Sequence, residues 1–114
     1  MIFKIVARDA WAAACRDGFF AGSPDDERDG FIHLSAPKQV RETASKYFRG
    51  RSDLVLVAFD EAALGGALLW EPARGGQLFP HLYGPLPTAL ALWERPLSLS
   101  DQGEPEIPED LLRC

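Results

Sequence analysis

The sequence contains two histidines and a nearby glutamate that could bind a ligand or transfer protons. The first of these residues is His33, within the segment 31–35. Side chains alternate between the two faces of a strand, so His33 and Ser35 share one face of a short strand here. Pro37 follows Ser35 closely, which predicts a helix start, and the amides of a helix N-terminus favour phosphate or carboxylate. An imidazole beside such a terminus suits a nucleotide. A half-buried His33 that is hydrogen-bonded to backbone is the alternative, and periodicity does not separate the two.

The second histidine, His81, lies between two aromatic residues of the segment 79–84. The alternation of side chains along a strand sets Phe79, His81 and Tyr83 on one side. Such a trio could stack against the flat ring of a ligand and donate hydrogen bonds to it. An aromatic packing cluster around a hydrogen-bonded histidine fits the same pattern.

Glu71 follows directly on the apolar run 68–70. A carboxylate at a strand end close to the core is costly unless it has a partner or a function. Glu71 could therefore orient a ribose hydroxyl or act as a base, and a structural ion pair with an arginine or lysine is the alternative. Lys4 raises the same question because it interrupts an otherwise apolar first strand. It could be the partner of Glu71 or an anion ligand.

Other kinds of site have less support in the sequence. A metal site of two histidines and one carboxylate lacks any tight ligand spacing such as His-x-His or Cys-x-x-Cys, so no metal is expected. Cys15 is placed on the apolar side of a predicted helix, which favours a packing thiol over a nucleophile. Neither a Gly-x-Ser-x-Gly elbow nor a P-loop occurs in the sequence.

The elements that must position these residues are those of an α+β domain. Residues 2–7 form an apolar strand, Asp9 caps a helix that ends at Gly18, and residues 22–30 carry the charges of an exposed loop. The helix after Ser35 is expected to reach about Phe48, with one apolar face. Residues 54–59 contain no polar side chain, which is typical of a central strand covered on both faces. Segments 68–71, 79–83 and 89–94 are further short strands.

The composition, with 46% hydrophobic and 25% charged residues in a chain of 114, is that of one ordinary globular domain. We expect this domain to cover residues 1–98. An acidic tail, residues 99–114, contains Pro105 and Pro108 and is expected to pack loosely or not at all. A net charge of -5 disfavours long nucleic acids as partners, although a local basic patch could still hold a small nucleotide.

The sequence also bears on where the protein acts. No segment approaches the length of a membrane span, and residues 1–7 lack the apolar core of a secretory signal. The cysteines Cys15 and Cys114 are far apart and do not suggest a disulfide framework. These features predict a cytoplasmic protein with no membrane partner, and they leave the oligomeric state open.

Several segments together resemble a known family of small bacterial proteins. The matching segments are Ile2-Phe3-Lys4-Ile5 with Trp11 and Ala14, Gly30-Phe-Ile-His-Leu-Ser35, Leu69-Trp70-Glu71 and Phe79-Pro-His-Leu-Tyr-Gly84. On these segments, which span roughly residues 1–95, the chain is identified as a member of the domain-of-unknown-function family 952 (DUF952).

The chain also has a more distant resemblance to the ADP-ribosyltransferase fold, whose members bind NAD across a split β-sheet. The segment from Gly30 to Phe48 is similar to a block of that fold in which a strand leads into a helix. His33 falls where those proteins place a ring-stacking tyrosine or the histidine of the RNA 2′-phosphotransferases. Lys4 stands where a histidine is common. The resemblance implies a split, mostly antiparallel sheet with two main helices.

This resemblance implies a domain that binds NAD or a related ADP-ribose-type nucleotide in a cleft around His33, Glu71 and His81. NAD would be its ligand or its substrate, and in an enzyme Glu71 and His81 would be the catalytic residues for transfer of the ADP-ribosyl group. The residues expected to contact the nucleotide are Lys4, His33, Ser35, Trp70 and Tyr83. A non-catalytic small-molecule binding module and an interaction protein with structural histidines are the alternatives.

Overall fold

The computed structural model describes residues 1–112 and confirms an α+β fold. Its helices are α1 (Arg8–Asp17), α2 (Pro24–Asp29) and α3 (Val40–Tyr47). Its strands are β1 (Ile2–Ala7), β2 (Phe19–Phe20), β3 (Ile32–His33), β4 (Leu54–Phe59), β5 (Leu68–Pro72), β6 (Leu78–Leu82), β7 (Leu86–Pro87), β8 (Ala91–Pro96), β9 (Ser98–Leu99) and β10 (Pro105–Glu106). Short 3₁₀ turns cover Glu61–Ala67, Arg74–Gly76, Thr88–Leu90 and Glu109–Leu112.

The main strands form two antiparallel sheets of three, in the orders β1-β4-β8 and β3-β6-β5. β4 is the centre of the first sheet, and all six of its residues are buried, as its unbroken apolar sequence predicted. In the second sheet, His81 of β6 lies opposite His33 of β3 on one side and opposite Leu69 of β5 on the other. Within residues 1–112, a single β-bridge between Phe3 and Ser35 joins the two sheets. The sheet is therefore split between β1 and β3.

The side chains of β1 alternate between two hydrophobic clusters. Ile2 and Val6 belong to the cluster that includes the buried residues of α1, whereas Phe3 and Ile5 belong to the cluster that includes those of α3. Lys4 shares the face of Ile2 and Val6 and is 5% exposed. A charged side chain thus extends from the middle of an apolar strand into the protein interior.

Helix α1 follows the predicted pattern at its buried face and at its end. Trp11 and Ala14 are its buried residues, and Gly18 ends it with a φ of 90°, which favours glycine. Asp9 lies in the first turn rather than at the cap. Cys15 is exposed, so its prediction as a packing thiol is wrong. A helix turns by about 100° per residue, and this rotation carries Cys15 away from the face that Ala14 buries.

The segment 22–30 is not the exposed loop that its charges suggested. It contains α2, and the side chain of Asp26 in this helix is buried, with the residue 3% exposed. The Asp26 carboxylate accepts a hydrogen bond from Ser23 N at 2.8 Å, which closes the first turn of the helix. The loop prediction fails because it treats every charged side chain as solvated, whereas Asp26 has partners inside the protein.

Helix α3 begins at Val40, later than the start predicted at Pro37. The intervening residues form a turn in which Gln39 N donates to Ala36 O, while Ala36 N donates to Gln39 Oε1. The two main helices predicted from the sequence are therefore present as α1 and α3. None of the helices in residues 1–112 is long and apolar enough to cross a membrane.

The C-terminal segment packs against the domain, contrary to the expectation of a loose tail. β9 and β10 pair as a short hairpin, and Ile107 is 6% exposed within the cluster beneath α3. Arg41 of α3 donates to Ile107 O at 2.8 Å and forms an ion pair with Glu109. Cys114 lies outside the described residues. The buried side chain of Ile107 anchors a segment whose sequence is otherwise mostly polar and contains prolines.

Candidate functional site

The split between β1 and β3 begins immediately beyond their one β-bridge. Phe3 N donates to Ser35 O and Ser35 N donates to Phe3 O, both at 2.9 Å. In an antiparallel ladder the next such pair would join Ile5 to His33. Instead, Lys4 Nζ donates to His33 O at 2.9 Å, and His33 N donates to Asp26 Oδ1 at 3.0 Å. Two side chains thus take the main-chain groups of β3 that would otherwise continue the sheet.

The main chain of β1 is left open at Ile5. Alternate residues of an antiparallel strand bond to opposite neighbours. Phe3 bonds to Ser35 on the β3 side, and Arg8 N donates to Asp53 O on the β4 side, so the odd-numbered residues of β1 direct their N–H and C=O groups into the split. Among residues 1–112, no group is hydrogen-bonded to the N–H or C=O of Ile5 on this side. The cleft therefore contains an adjacent donor and acceptor ready for a ligand or water.

A buried polar network holds one wall of the cleft. Lys4 Nζ lies 2.9 Å from Asp26 Oδ2, His33 Nδ1 lies 2.6 Å from Asp26 Oδ1, and His33 Nε2 lies 2.9 Å from Asp29 Oδ2. Burial alone would raise the pKa of Asp26, but the hydrogen bond from His33, the charge of Lys4 and the amides of His33 and Ser23 together hold it well below its usual range. Burial lowers the pKa of Lys4, and Asp26 opposes that shift. α2 is thus fixed to β1 by an ion pair and to β3 by hydrogen bonds.

A second polar cluster lies on the same sheet face, around His81. Glu71 Oε1 accepts hydrogen bonds from Tyr83 OH at 2.7 Å and from His81 Nδ1 at 2.8 Å. The hydrogen bond from Tyr83, and then that from His81, lowers the pKa of Glu71, while the same bond to Glu71 raises the pKa of Tyr83. Glu71 is therefore held as a carboxylate, and it fixes one edge of a histidine that is 4% exposed.

The two clusters meet at their histidines. The rings of His33 and His81 are in edge contact, with centroids 5.7 Å apart. Phe31 stacks on His81 at 4.0 Å and contacts His33 at 4.7 Å and Tyr83 at 5.3 Å. The aromatic surface that was predicted to stack on a ligand ring is therefore occupied on one side by a phenyl group of the chain itself.

The cleft opens into a cavity of about 210 Å³ between β1, β3, α2, α3 and the turn at residues 74–76. Its lining includes His33, Ser35, Thr43, Tyr47, Arg74 and Phe79. The guanidinium group of Arg74 lies over the rings of Phe79 at 4.9 Å and Tyr47 at 5.6 Å. The cavity thus combines aromatic walls, hydroxyl groups and a cation, the groups that commonly bind a polar cyclic ligand.

The residues predicted to form one site fall into three groups. Lys4, His33 and Ser35 line the cavity. Glu71, His81 and Tyr83 form the adjoining cluster and are not part of the cavity lining. Trp70 lies on the opposite face of β5, where its Nε1 donates to Glu61 Oε2 at 2.7 Å, so the structure does not bring it to the histidines. Lys4 pairs with Asp26, and not with Glu71.

Four residues of the site were not predicted from the sequence: Asp26, Asp29, Thr43 and Arg74. One signal for the first of these was available, since Ser23 and Asp26 have the spacing of a capping box and a proline stands between them. That pattern predicts a helix over residues 24–29 and a carboxylate turned back towards its start. Arg74 lies in a turn between two short strands, and nothing in the local sequence indicates that it reaches α3.

The chain matches a family model and solved structures of another protein. A family model described as "Protein of unknown function (DUF952)" matches residues 5–93. The chain belongs to this family. The match confirms the resemblance drawn from the Gly30–Ser35 and Phe79–Gly84 segments. No curated protein matches the chain at a significant level.

The DUF952 chain is also similar to solved structures of CC0527 from Caulobacter crescentus. The crystal structure of that protein is 49% identical over 97% of this chain and 96% of that chain, with a TM-score of 0.94. Its solution NMR structure is 50% identical over 92% and 90% of the two chains, with a TM-score of 0.84. The split sheet is therefore an architecture that this DUF952 protein shares with CC0527.

Proposed function

We propose that this DUF952 domain binds NAD or a related ADP-ribose-type nucleotide in the cleft between β1 and β3. The observation that carries the proposal is the open main chain of Ile5, whose N–H and C=O face the cavity without protein partners among residues 1–112. A carboxamide such as that of nicotinamide offers the complementary acceptor and donor. The distant resemblance to proteins that bind NAD across a split sheet points to the same place.

The size of the cavity limits how much of a dinucleotide it encloses. Pockets that surround a whole drug-sized ligand measure roughly 300–1,000 Å³. At about 210 Å³ this cavity is smaller, so it encloses one end of NAD and leaves the remainder along the surface. The rings of Tyr47 and Phe79 and the imidazole of His33 are the walls available to the enclosed part.

Binding is tested by comparing ligands that differ at the carboxamide. NAD, ADP-ribose, AMP and nicotinic acid adenine dinucleotide are added to the ¹⁵N-labelled protein, and amide shifts and melting temperature are recorded, because a ligand that binds the native state raises the melting temperature. We expect NAD to shift the Ile5 amide resonance and the acid analogue to bind much more weakly, since its carboxylate can accept from Ile5 N–H but has no hydrogen for Ile5 O and is repelled by it. An unchanged Ile5 resonance with saturating NAD, or equal affinity for the acid analogue, contradicts the proposal.

Transfer of the ADP-ribosyl group is a second candidate, and the ionised state of Glu71 favours it. In that reaction the bond between ribose C1′ and nicotinamide breaks, the electron pair leaves with nicotinamide, and the acceptor bonds to C1′ while its proton passes to a base. A carboxylate stabilises the positive charge that develops on the sugar. Glu71 is held ionised by Tyr83 and His81, and because it is not part of the cavity lining, it would act on the part of the nucleotide that extends outside the cavity.

The transfer reaction is tested with Glu71→Gln. This amide can still accept from Tyr83 but carries no charge, so we expect nicotinamide release to fall while NAD binding persists. Glu94→Gln, at an exposed position on β8, is the matched control. Binding without any release by the unaltered protein would instead indicate a non-catalytic binding module.

A further inference from the structure

Arg74 is held in place by three kinds of contact, yet one end of its guanidinium group is unused. Nε lies 3.0 Å from Glu42 Oε1, and Nη2 donates to Thr43 Oγ1 at 3.2 Å. The rings of Phe79 and Tyr47 lie beside the guanidinium group, and the side chain is 17% exposed. Nη1 has no hydrogen-bond partner among the described residues, so a pre-positioned cationic donor remains at the cavity wall.

The hydroxyl groups of Ser35 and Thr43 supply a second donor beside it. Their oxygens are 3.3 Å apart, and Thr43 Oγ1 also accepts from Arg74. The pair holds two hydroxyl hydrogens, and the mutual hydrogen bond uses one of them whichever way it runs. The other is left without a partner among residues 1–112. Both residues and Arg74 line the cavity, so the guanidinium group and a free hydroxyl hydrogen are available beside the same small space.

The charges around the cavity leave Arg74 as its least neutralised cation. Lys4 is paired with Asp26, and Arg28 contacts both Asp25 and Asp29, so in the wall formed by α2 and Lys4, the α2 wall, two lining cations face three carboxylates. The partner of Arg74 is Glu42, which is not part of the lining and whose side chain is 64% exposed, so water screens its charge. The α3 end of the cavity is therefore the end that favours an anion.

We propose that Arg74, together with the Ser35 and Thr43 hydroxyl pair, binds a phosphate group, and that this subsite selects phosphate-bearing ligands. The inference rests on the proposed function in placing the phosphate of the nucleotide in the same cavity. The recognition chemistry is shared by inorganic phosphate and a ribose phosphate, since both offer several oxygen acceptors to a charged planar donor. The α2 wall, with its three aspartates, is the opposite side of the site.

The test compares inorganic phosphate, AMP and adenosine on the whole chain by titration calorimetry and amide shifts. We expect phosphate and AMP to bind and to shift the Thr43 and Arg74 resonances, and adenosine to bind much more weakly than AMP. Arg74→Gln should weaken AMP binding roughly ten- to a hundredfold, the equivalent of ~1.5–3 kcal/mol for a hydrogen bond to a charged group. Arg95→Gln is the matched control, because Arg95 also lies over an aromatic ring but on exposed β8, and it should bind as the unaltered protein does.

A second variant covers the case in which Arg74→Gln unfolds the α3 contact. Combined Ser35→Ala and Thr43→Val removes both hydroxyls without changing charge, and it should weaken phosphate binding several-fold. If this double variant and Arg74→Gln both bind AMP as tightly as the unaltered chain, or if adenosine binds as tightly as AMP, the phosphate subsite is overturned.

If AMP and phosphate bind through Arg74 but NAD does not shift the Ile5 resonance, the subsite stands and the proposed function fails. If NAD binds Arg74→Gln as tightly as the unaltered chain, the function stands and the subsite fails.

Discussion

Replacing Asp26 with asparagine should destabilise the protein more than removing the charge of any exposed residue, including the other charged residues of α2. Asp26 is 3% exposed and Lys4 5%, so the variant leaves a buried ammonium group without its counter-charge. Removal of one partner of a buried pair costs about 3–5 kcal/mol. A chain of 114 residues has a total stability of roughly 6–17 kcal/mol at ~0.05–0.15 kcal/mol per residue. The expected loss is therefore a large fraction of the whole.

Urea unfolding followed by tryptophan fluorescence measures this loss, with Asp53→Asn as the control. Asp53 forms its ion pair with Arg51 at 2.8 Å on the surface, and such exposed pairs contribute ~0–1 kcal/mol. Adding Lys4→Met to Asp26→Asn should recover part of the loss, because the double variant no longer buries an unpaired charge. A loss for Asp26→Asn of no more than ~1 kcal/mol, like that of the control, would refute the assignment of Asp26 as the counter-charge that Lys4 needs in the interior.

The same variant should alter the acid limb of the stability curve. The folded-state pKa of Asp26 lies below its unfolded value of about 3.9, so the unfolded chain binds more protons between the two values. The contribution of Asp26 is then fully present above about pH 4 and is lost as the pH falls through the folded-state pKa. The Asp26→Asn variant lacks this contribution at every pH. Its stability should therefore fall less steeply below about pH 4 than that of the unaltered chain.

Two further predictions concern residues outside the α2 wall. Tyr83→Phe removes the hydrogen bond that does most to lower the pKa of Glu71, so ¹³C NMR titration should show that pKa rising towards its ordinary value; Tyr47→Phe, which does not contact Glu71, should leave it unmoved. Ile107→Ala should cost about 2–4 kcal/mol in urea unfolding because the side chain is buried beneath α3. Leu92→Ala, at a residue that is 54% exposed, is its control, and equal effects of the two would mean that residues 99–112 do not contribute to the core.

The apolar elements were readable from the sequence because their signals are local. The strand at residues 54–59 is recognisable from its lack of any polar side chain, and the helix at residues 8–17 from Trp11 and Ala14 on one face and Gly18 at its end. The placement of His33 opposite His81 was not readable. It depends on the register of β3 against β6, which is set by pairing between segments that are distant along the chain.

Only some of the polar residues of the site could be predicted from the sequence, for a physical reason. Lys4 is conspicuous because it interrupts an apolar strand, but its partner Asp26 lies within the unbroken charged run 25–29 and is distinguished from its neighbours only by where α2 docks. Ile107 was missed in the same way, since one apolar side chain in a polar segment carries no periodicity. The position of Arg74 in the site depends on a tertiary contact with α3, which the sequence of its own turn does not predict.

The buried pair of Lys4 and Asp26 is better explained by the shape of the cleft than by stability. An apolar pair of similar volume is often as stable as a buried ion pair or more so, because two charges must first be taken out of water. What the apolar pair could not do is bond to the C=O and N–H of His33, which Lys4 and Asp26 now occupy. With those groups free, β3 could continue its ladder along β1 and take up the main chain of Ile5. The pair therefore occupies the two groups of β3 through which the sheet would otherwise close at Ile5.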